Sequence, residues 1–266
     1  MSTIEIPQSV TTIGYGALEL CNSLIAIEVD SGNPNYKSVD GVLFTGDGTT
    51  LVCCPPGNER SEYTIPDGVT TIDILSFGMC RNLTSVVIPR SVQTISSQAF
   101  YHCGIETIRI PSSLTLMTHA PFPYCESLRY IEVDSGNPNY KSVDGVLYTR
   151  DGASLICYPS KSDRTAYTIP EGVTTIENFA LTYCAYLTSI EIPEGVTIIG
   201  NHAFQGSKSL RTIRIPESMT SIDQSAFVGC GGLTDLYYAG TKAQWEALVG
   251  DTNLDMPEGV AIHFES

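Results

Sequence analysis

The segment Leu187–Ser207, LTSIEIPEGVTIIGNHAFQGS, decides the fold. Ile190, Glu191 and Ile192 alternate apolar, polar and apolar, the period-two signature of a half-buried strand. Pro193 ends that strand because it has no N–H to give to a ladder. Glu194–Gly195 reads as a turn. Val196, Ile198 and Ile199 then bring the chain back inward, and Ala203–Phe204 supplies a bulky interior plug. The same pattern runs along the whole chain. Ile-Pro recurs at Ile6–Pro7, Ile65–Pro66, Ile88–Pro89, Ile110–Pro111, Ile169–Pro170, Ile192–Pro193 and Ile215–Pro216, and Val29, Val133 and Tyr238 hold the same register without proline. The steps between these anchors are 23, 36, 23, 22, 23, 36, 23, 23 and 23 residues. A larger period lies on top, since Ile27–Leu43 matches Ile131–Leu147 residue for residue at an offset of 104.

A window of about 23 residues cannot enclose a core alone, so each must stack on its neighbours. The repeat therefore predicts a solenoid of about ten coils in one continuous spiral, with parallel strands about 4.8 Å apart and a length of roughly 45 Å. The array is expected over 1–240, with inserts at about 30–60 and 134–164, and a C-terminal cap over 241–266. The opening of the chain in mid-strand reads as the start of an expressed fragment, with upstream coils and a secretion signal outside it.

Composition narrows the function. Of 266 residues, 42% are hydrophobic, which is enough to build a core. Lys and Arg number 14 against 29 Asp and Glu, a formal charge of −15 that repels nucleic acid and anionic membranes. No apolar run approaches the roughly 20 residues that span a bilayer. Met1–Ile6 lacks the basic and apolar regions of a signal peptide.

Each 36-residue step holds about 13 extra residues with hairpin chemistry. Val143–Thr149 and Ser154–Tyr158 alternate around Arg150–Asp151–Gly152, with Asp47–Gly48 in the first copy, and Asp-Gly suits a turn of positive φ. Asn33–Pro34–Asn35 and Asn137–Pro138–Asn139 are turn sequences leading in. The inserts are expected to project, either shielding a face of neighbouring coils or forming a lip over a ligand. Asp30, Asp40, Asp134 and Asp144 match no calcium-loop spacing, so no metal and no cofactor is expected. Cys21, Cys80, Cys103, Cys125, Cys184 and Cys230 each fall 15 residues after a strand anchor, and Ser207 fills the same slot once. A slot that accepts Cys or Ser predicts a small buried side chain bonded to neighbouring backbone, and free thiols rather than disulfides. No C-x-x-C pair suggests zinc. Thr241 and Gln244 form a capping box opening a helix through Trp245 and Leu248 to Gly250, followed by a last strand from Leu254 to Phe264.

The recurring L-x-x-I-x-I-P-x-x-V-T-x-I-x-x-x-A-F-x-x-C resembles the BspA-type bacterial leucine-rich repeat. I-E-V-D-S-G-N-P-N-Y-K-S-V-D-G-V-L resembles that family's longer repeat, and Y-Y-A-G-T-K-A-Q-W-E-A-L is similar to the segment that closes such arrays. The resemblance covers essentially the whole chain. It implies a leucine-rich-repeat solenoid, a right-handed superhelix that is β-rich with short irregular or helical convex segments, two β-hairpin insertions and a short C-terminal capping helix. It also implies a secreted or cell-surface bacterial protein, some relatives being adhesins, and it carries no catalytic or ligand-binding consensus.

No nucleophile and base motif or phosphate-binding loop appears, and His102, His119, His202 and His263 lie at unrelated register positions. The expected function is non-enzymatic recognition of a host or microbial surface protein or glycan by a monomer, at the cell surface or outside the cell. The alternatives are a spacer in a larger surface protein and an enzyme with a site under the inserts. The ladder exposes one residue per coil in a column: Glu5, Glu28, Thr64, Val87, Arg109, Glu132, Thr168, Glu191, Arg214 and Tyr237. A flanking column runs Thr3, Ala26, Glu62, Ser85, Thr107, Tyr130, Ala166, Ser189, Thr212 and Asp235. Arg109, Tyr130, Glu132, Glu191, Arg214 and Tyr237 are the candidate binding residues, because arginine and tyrosine most often anchor interfaces.

Overall fold

The computed structural model describes residues 2–250 and 254–265. The chain divides into two compact units, Met1–Asn139 and Tyr140–Ser266. In the first unit, β1 (Thr3–Ile6) pairs in parallel with β2 (Ala26–Val29). A second parallel sheet runs β6 (Glu62–Thr64), β8 (Ser85–Val87), β10 (Thr107–Ile110) and β12 (Tyr130–Val133). These are the strands read from the sequence, one per repeat. The intervening β3 (Tyr36–Val39), β4 (Val42–Thr45), β5 (Thr50–Cys53), β7 (Thr71–Ile72), β9 (Thr94–Ile95) and β11 (Leu116–Met117) form another sheet.

The second unit repeats the plan. One sheet contains β13 (Tyr140–Val143), β14 (Val146–Thr149), β15 (Ser154–Cys157), β17 (Thr175–Ile176), β19 (Ile198–Ile199) and β21 (Ser221–Ile222). The other runs β16 (Ala166–Thr168), β18 (Ser189–Glu191), β20 (Thr212–Ile215), β22 (Asp235–Tyr238) and β23 (Ala261–Phe264). α1 (Lys242–Val249) interrupts the last step. It is opened by the Thr241–Gln244 capping box, and Trp245 is buried against Tyr238 at 5.3 Å.

The inserts do not project as flaps, contrary to the expectation. β13, β14 and β15 are antiparallel, and β15 then joins β17 in parallel, so the insert becomes the margin of a sheet. Val146, Leu147 and Tyr148 are buried because β14 lies over the core. The run Val143–Thr149 is also broken by a tight turn at Asp144–Gly145 (φ 51° and 84°), as at Asp40–Gly41 (φ 52° and 76°). Positive φ at both central residues is the turn whose twist suits a two-residue hairpin. The carboxylates weighed as calcium ligands are placed elsewhere: Asp40 and Asp144 in those turns, Asp30 accepting from Gly32 N at 2.8 Å, and Asp134 paired with Arg109. Ile198 is a further correction. It faces out from β19 and is 41% exposed, while Val196 and Ile199 fill the interior.

Both interiors are built as ladders. Phe77 and Phe100 stack at 5.0 Å and Phe100 meets Phe122 at 5.3 Å, while Phe204 and Phe227 stack at 5.4 Å in the second unit. The Cys/Ser slot follows its expected logic. Cys103 Sγ donates to Cys80 O at 3.5 Å, Cys125 Sγ to Phe100 O at 3.0 Å and Cys230 Sγ to Phe204 O at 3.0 Å. Ser207 Oγ donates to Leu181 O at 2.8 Å and accepts from Cys184 N at 3.0 Å. All nine cysteines are free thiols. Cys21 departs from the slot and is exposed. Cys80, Cys103, Cys125 and Cys230 reach carbonyls 23 to 26 residues upstream, whereas Cys184 Sγ donates to Leu181 O at 3.2 Å within its own coil.

Candidate binding face

The outward columns have the register read from the sequence. Arg109 stands opposite Glu132, and Thr107 opposite Tyr130. In the second unit Thr168, Glu191, Arg214 and Tyr237 follow one another on successive strands, and Tyr237 is opposite His263 on β23. Register alone places these side chains on one face, because alternate residues of a strand point the same way. The six candidates fall into two groups of three, one in each unit.

In the first unit, Arg109 is the centre. Its Nε donates to Asp134 Oδ1 at 2.7 Å, and its Nη1 lies 3.6 Å from Glu132 Oε1. The hydrogen bond to Asp134, then the charges of Asp134 and Glu132, raise the guanidinium's affinity for its proton. Asp134 Oδ2 also accepts from Ser112 N at 3.3 Å, which fixes the carboxylate holding Arg109. A shallow groove beside it has Ser85 and Thr107 in its floor and Val87, Arg90 and Arg109 along its side. Val87 is 54% exposed, and the Tyr130 ring is 48% exposed nearby on β12.

In the second unit, Arg214, Tyr237 and His263 form a stack on consecutive strands. The guanidinium carbon lies 5.0 Å from the Tyr237 ring centre, and Tyr237 stacks on His263 at 4.6 Å. Such cation–aromatic contacts hold long side chains in place. Carboxylates clamp both ends: Arg214 pairs with Glu265, and His263 Nε2 lies 2.7 Å from Asp235 Oδ1. The His263 hydrogen bond, followed by one from Thr234, holds the Asp235 carboxyl below the usual range. Glu191 stands one strand away, with Thr168 Oγ1 at 3.5 Å from its Oε2. A second groove is floored by Ala166, Ser189 and Thr212 and walled by Glu191, Arg214 and Tyr237.

Reading the sequence missed that neither arginine is free. Asp134, Asp235, His263 and Glu265 were not among the candidates. Asp134 carried a signal, since it lies two residues beyond Glu132 and hence on the same outward side. His263 belongs to a last strand whose facing was not worked out, and Glu265 directly follows it. Among the described residues no group of three or more histidine, cysteine or acidic side chains is placed to hold a metal ion, and no helix is long and apolar enough to cross a membrane.

Comparison with known proteins agrees with this geometry. The model of the BspA type leucine rich repeat region matches six copies, over residues 1–46, 57–143 and 157–246. A leucine rich cell surface protein from Faecalibacterium prausnitzii is similar at 26% identity and TM-score 0.58, over 93% of this chain and 82% of that one. The pneumococcal vaccine antigen PcpA is 21% identical with a TM-score of 0.70, over 99% of this chain and 68% of the other. A leucine-rich repeat protein from Eubacterium ventriosum is 22% identical with a TM-score of 0.65, over 90% and 68%. No curated protein matches the chain. With periodic strands, internal side-chain ladders and a family match over most of its length, this chain belongs to the BspA-type leucine-rich repeat family.

Proposed function

We propose that this chain is a non-enzymatic recognition module at the bacterial cell surface, binding a host or microbial surface protein or glycan through its strand-ladder face. The observation that carries this reading is the order of that face. Arg109 and Arg214 are exposed, yet Arg109 is held by Asp134 and Glu132, and Arg214 by Glu265 and the Tyr237 ring on the neighbouring strand. Side chains fixed before contact lose less rotamer entropy on binding than free ones. The grooves are shallow, which suits contact at many points with a macromolecule rather than enclosure of a small one. Similarity to a leucine rich cell surface protein supports the location.

The test is surface plasmon resonance of the chain against panels of matrix proteins and surface glycans, with the double variant Arg109→Ala/Arg214→Ala. The module reading expects at least about tenfold weaker binding for the variant, from the loss of two anchoring side chains. Equal binding by variant and parent removes this face from the account. No binding to any member of the panels favours a spacer.

A further inference from the structure

The two ladder-face arginines lie in identical pentapeptides, Thr107–Pro111 and Thr212–Pro216, both TIRIP. Each is neutralised from within the chain, Arg109 by Asp134 and Glu132, Arg214 by Glu265. The groove walls therefore offer guanidinium donors and carboxylate acceptors side by side with little net charge. In the first groove Arg90 and Arg109 stand with Asp134 and Glu132, and in the second Arg214 stands with Glu191 and Glu265, so an anionic ligand gains no net attraction at either and approaches a chain of formal charge −15. A cationic ligand would meet Arg109 or Arg214 in either groove.

A hydroxyl both donates and accepts, so a row of hydroxyls satisfies donor and acceptor together and displaces neither. Tyr130, 48% exposed and opposite Thr107, supplies apolar surface that the C–H face of a sugar ring covers, while the Tyr237 ring, stacked between Arg214 and His263, closes the end of the second groove. The floors of Ser85 and Thr107, and of Ala166, Ser189 and Thr212, run across the strands and carry no bulky side chain. Backbone groups inside these sheets are already paired, so a peptide cannot add as a strand over the grooves. A protein partner usually seats a desolvated apolar centre. Val87 is the one large aliphatic side chain of the outward column.

We infer that each ladder-face groove binds an uncharged polysaccharide laid across its own strands, hydrogen-bonded to the Arg109–Asp134 pair in the first and the Arg214–Glu265 pair in the second, and packed in the first against Tyr130. This inference rests on the ladder face being the binding face. It is tested by titration calorimetry of the full chain with a β-glucan, a mannan and a galactan as uncharged probes. Heparin and polygalacturonate serve as anionic probes, and a panel of matrix proteins as the third class. The double variant Thr107→Trp/Ser189→Trp fills both floors, from the exposed Thr107 and the half-buried Ser189, and replaces none of the wall residues. Circular dichroism confirms that it is folded.

The expected result is binding of at least one uncharged polysaccharide, at least about tenfold weaker in the tryptophan variant. The affinity should change less than about twofold between about 50 mM and 500 mM salt, because no net charge is exchanged. Binding confined to the anionic polysaccharides, weakening steeply with salt, overturns the uncharged ligand and leaves the ladder face in place. Binding of a matrix protein alone, blocked by the tryptophans, overturns the glycan and also leaves the face. Binding of any probe that the tryptophans do not weaken overturns both, as does the absence of binding by every probe.

Discussion

The two copies of the 104-residue repeat carry the same frame around different fillings. In both inserts a buried asparagine closes the preceding turn: Asn33 Nδ2 donates to Pro7 O and Val10 O at 2.9 and 3.1 Å, Asn137 Nδ2 to Pro111 O and Leu114 O at 2.8 and 3.0 Å. In both, an arginine reaches the tight turn, Arg60 to Asp40 O at 2.7 Å and Arg164 to Asp144 O at 2.8 Å. The interiors diverge. Phe44 and Cys54 of the first unit are replaced by Tyr148 and Tyr158 in the second, and Tyr148 there makes a hydroxyl–hydroxyl contact with Tyr167. The aromatic ladder also differs, with three phenylalanines in the first unit and Leu181 ahead of Phe204 and Phe227 in the second. Residues that satisfy fixed backbone groups or hold positive φ are kept, because each has few substitutes. Residues that fill volume can be exchanged if their neighbours exchange too.

The largest effect that would sharpen this contrast is in the aromatic ladders. Phe100→Ala, between two rings, should cost about 4 kcal/mol, and Phe204→Ala, with one ring neighbour, about 3 kcal/mol. Urea unfolding measures both, and the reverse order would show that a second ring neighbour does not set the cost. Next come the asparagines. Asn137→Ala strands two carbonyls at a position 1% exposed and should cost about 3 kcal/mol. Asn33→Ala, at 9% exposure, should cost about 2 kcal/mol by the same measurement. If either loss falls below about 0.5 kcal/mol, the frame does not depend on these bonds.

Smaller effects come from the fillings. Tyr148→Phe gives the second unit the first unit's residue and leaves Tyr167 without this partner, for about 1 kcal/mol. Phe44→Tyr restores a hydroxyl opposite Tyr63, the counterpart of Tyr167, and should cost less than Phe→Ala anywhere in the ladders. Thermal unfolding of the two variants checks whether the interiors are exchangeable.

The buried thiols add a dependence on pH. Burial raises the Cys103, Cys157 and Cys230 thiols to about 12. An unfolded chain releases these protons from about pH 8.5. The folded chain still holds them, so the contribution of these thiols to stability is constant below about pH 8.5 and falls from there towards pH 12. Cys103→Ser should make that fall shallower, since Ser207 shows that a hydroxyl fits the slot. A fall of equal steepness in the variant would show that Cys103 does not contribute.

Much of the frame was legible because it depends on local identities at fixed spacing. Ile-Pro steps located the strands, and counting from them gave the register of Arg109 on Glu132 and of Arg214 on Tyr237. The helix was legible from Thr241 and Gln244, whose two side chains cap one another's backbone. What failed depended on long-range direction. Ile198 looked like an inward residue until its sheet showed which side faces the core. The insert hairpins looked like projections because their turns were visible while the pairing of β15 with β17 was not. The Asp144–Gly145 turn was present in the sequence, and weighing Asp144 as a metal ligand obscured it. The candidate face was legible as a pair of columns, but the carboxylates that neutralise its arginines come from other coils, and only Asp134, two residues beyond Glu132, carried a signal for its place.

The claim on which the rest stands is that successive windows of 23 residues are stacked coils whose slot residues point inward. Timed alkylation of the native chain, with each cysteine followed by mass spectrometry, tests it most directly. The stacked-coil account predicts immediate labelling of Cys21, slower labelling of the half-buried Cys53, and labelling of Cys80, Cys103, Cys125, Cys184 and Cys230 only after unfolding. Labelling of those five at the rate of Cys21 in the folded chain would contradict it.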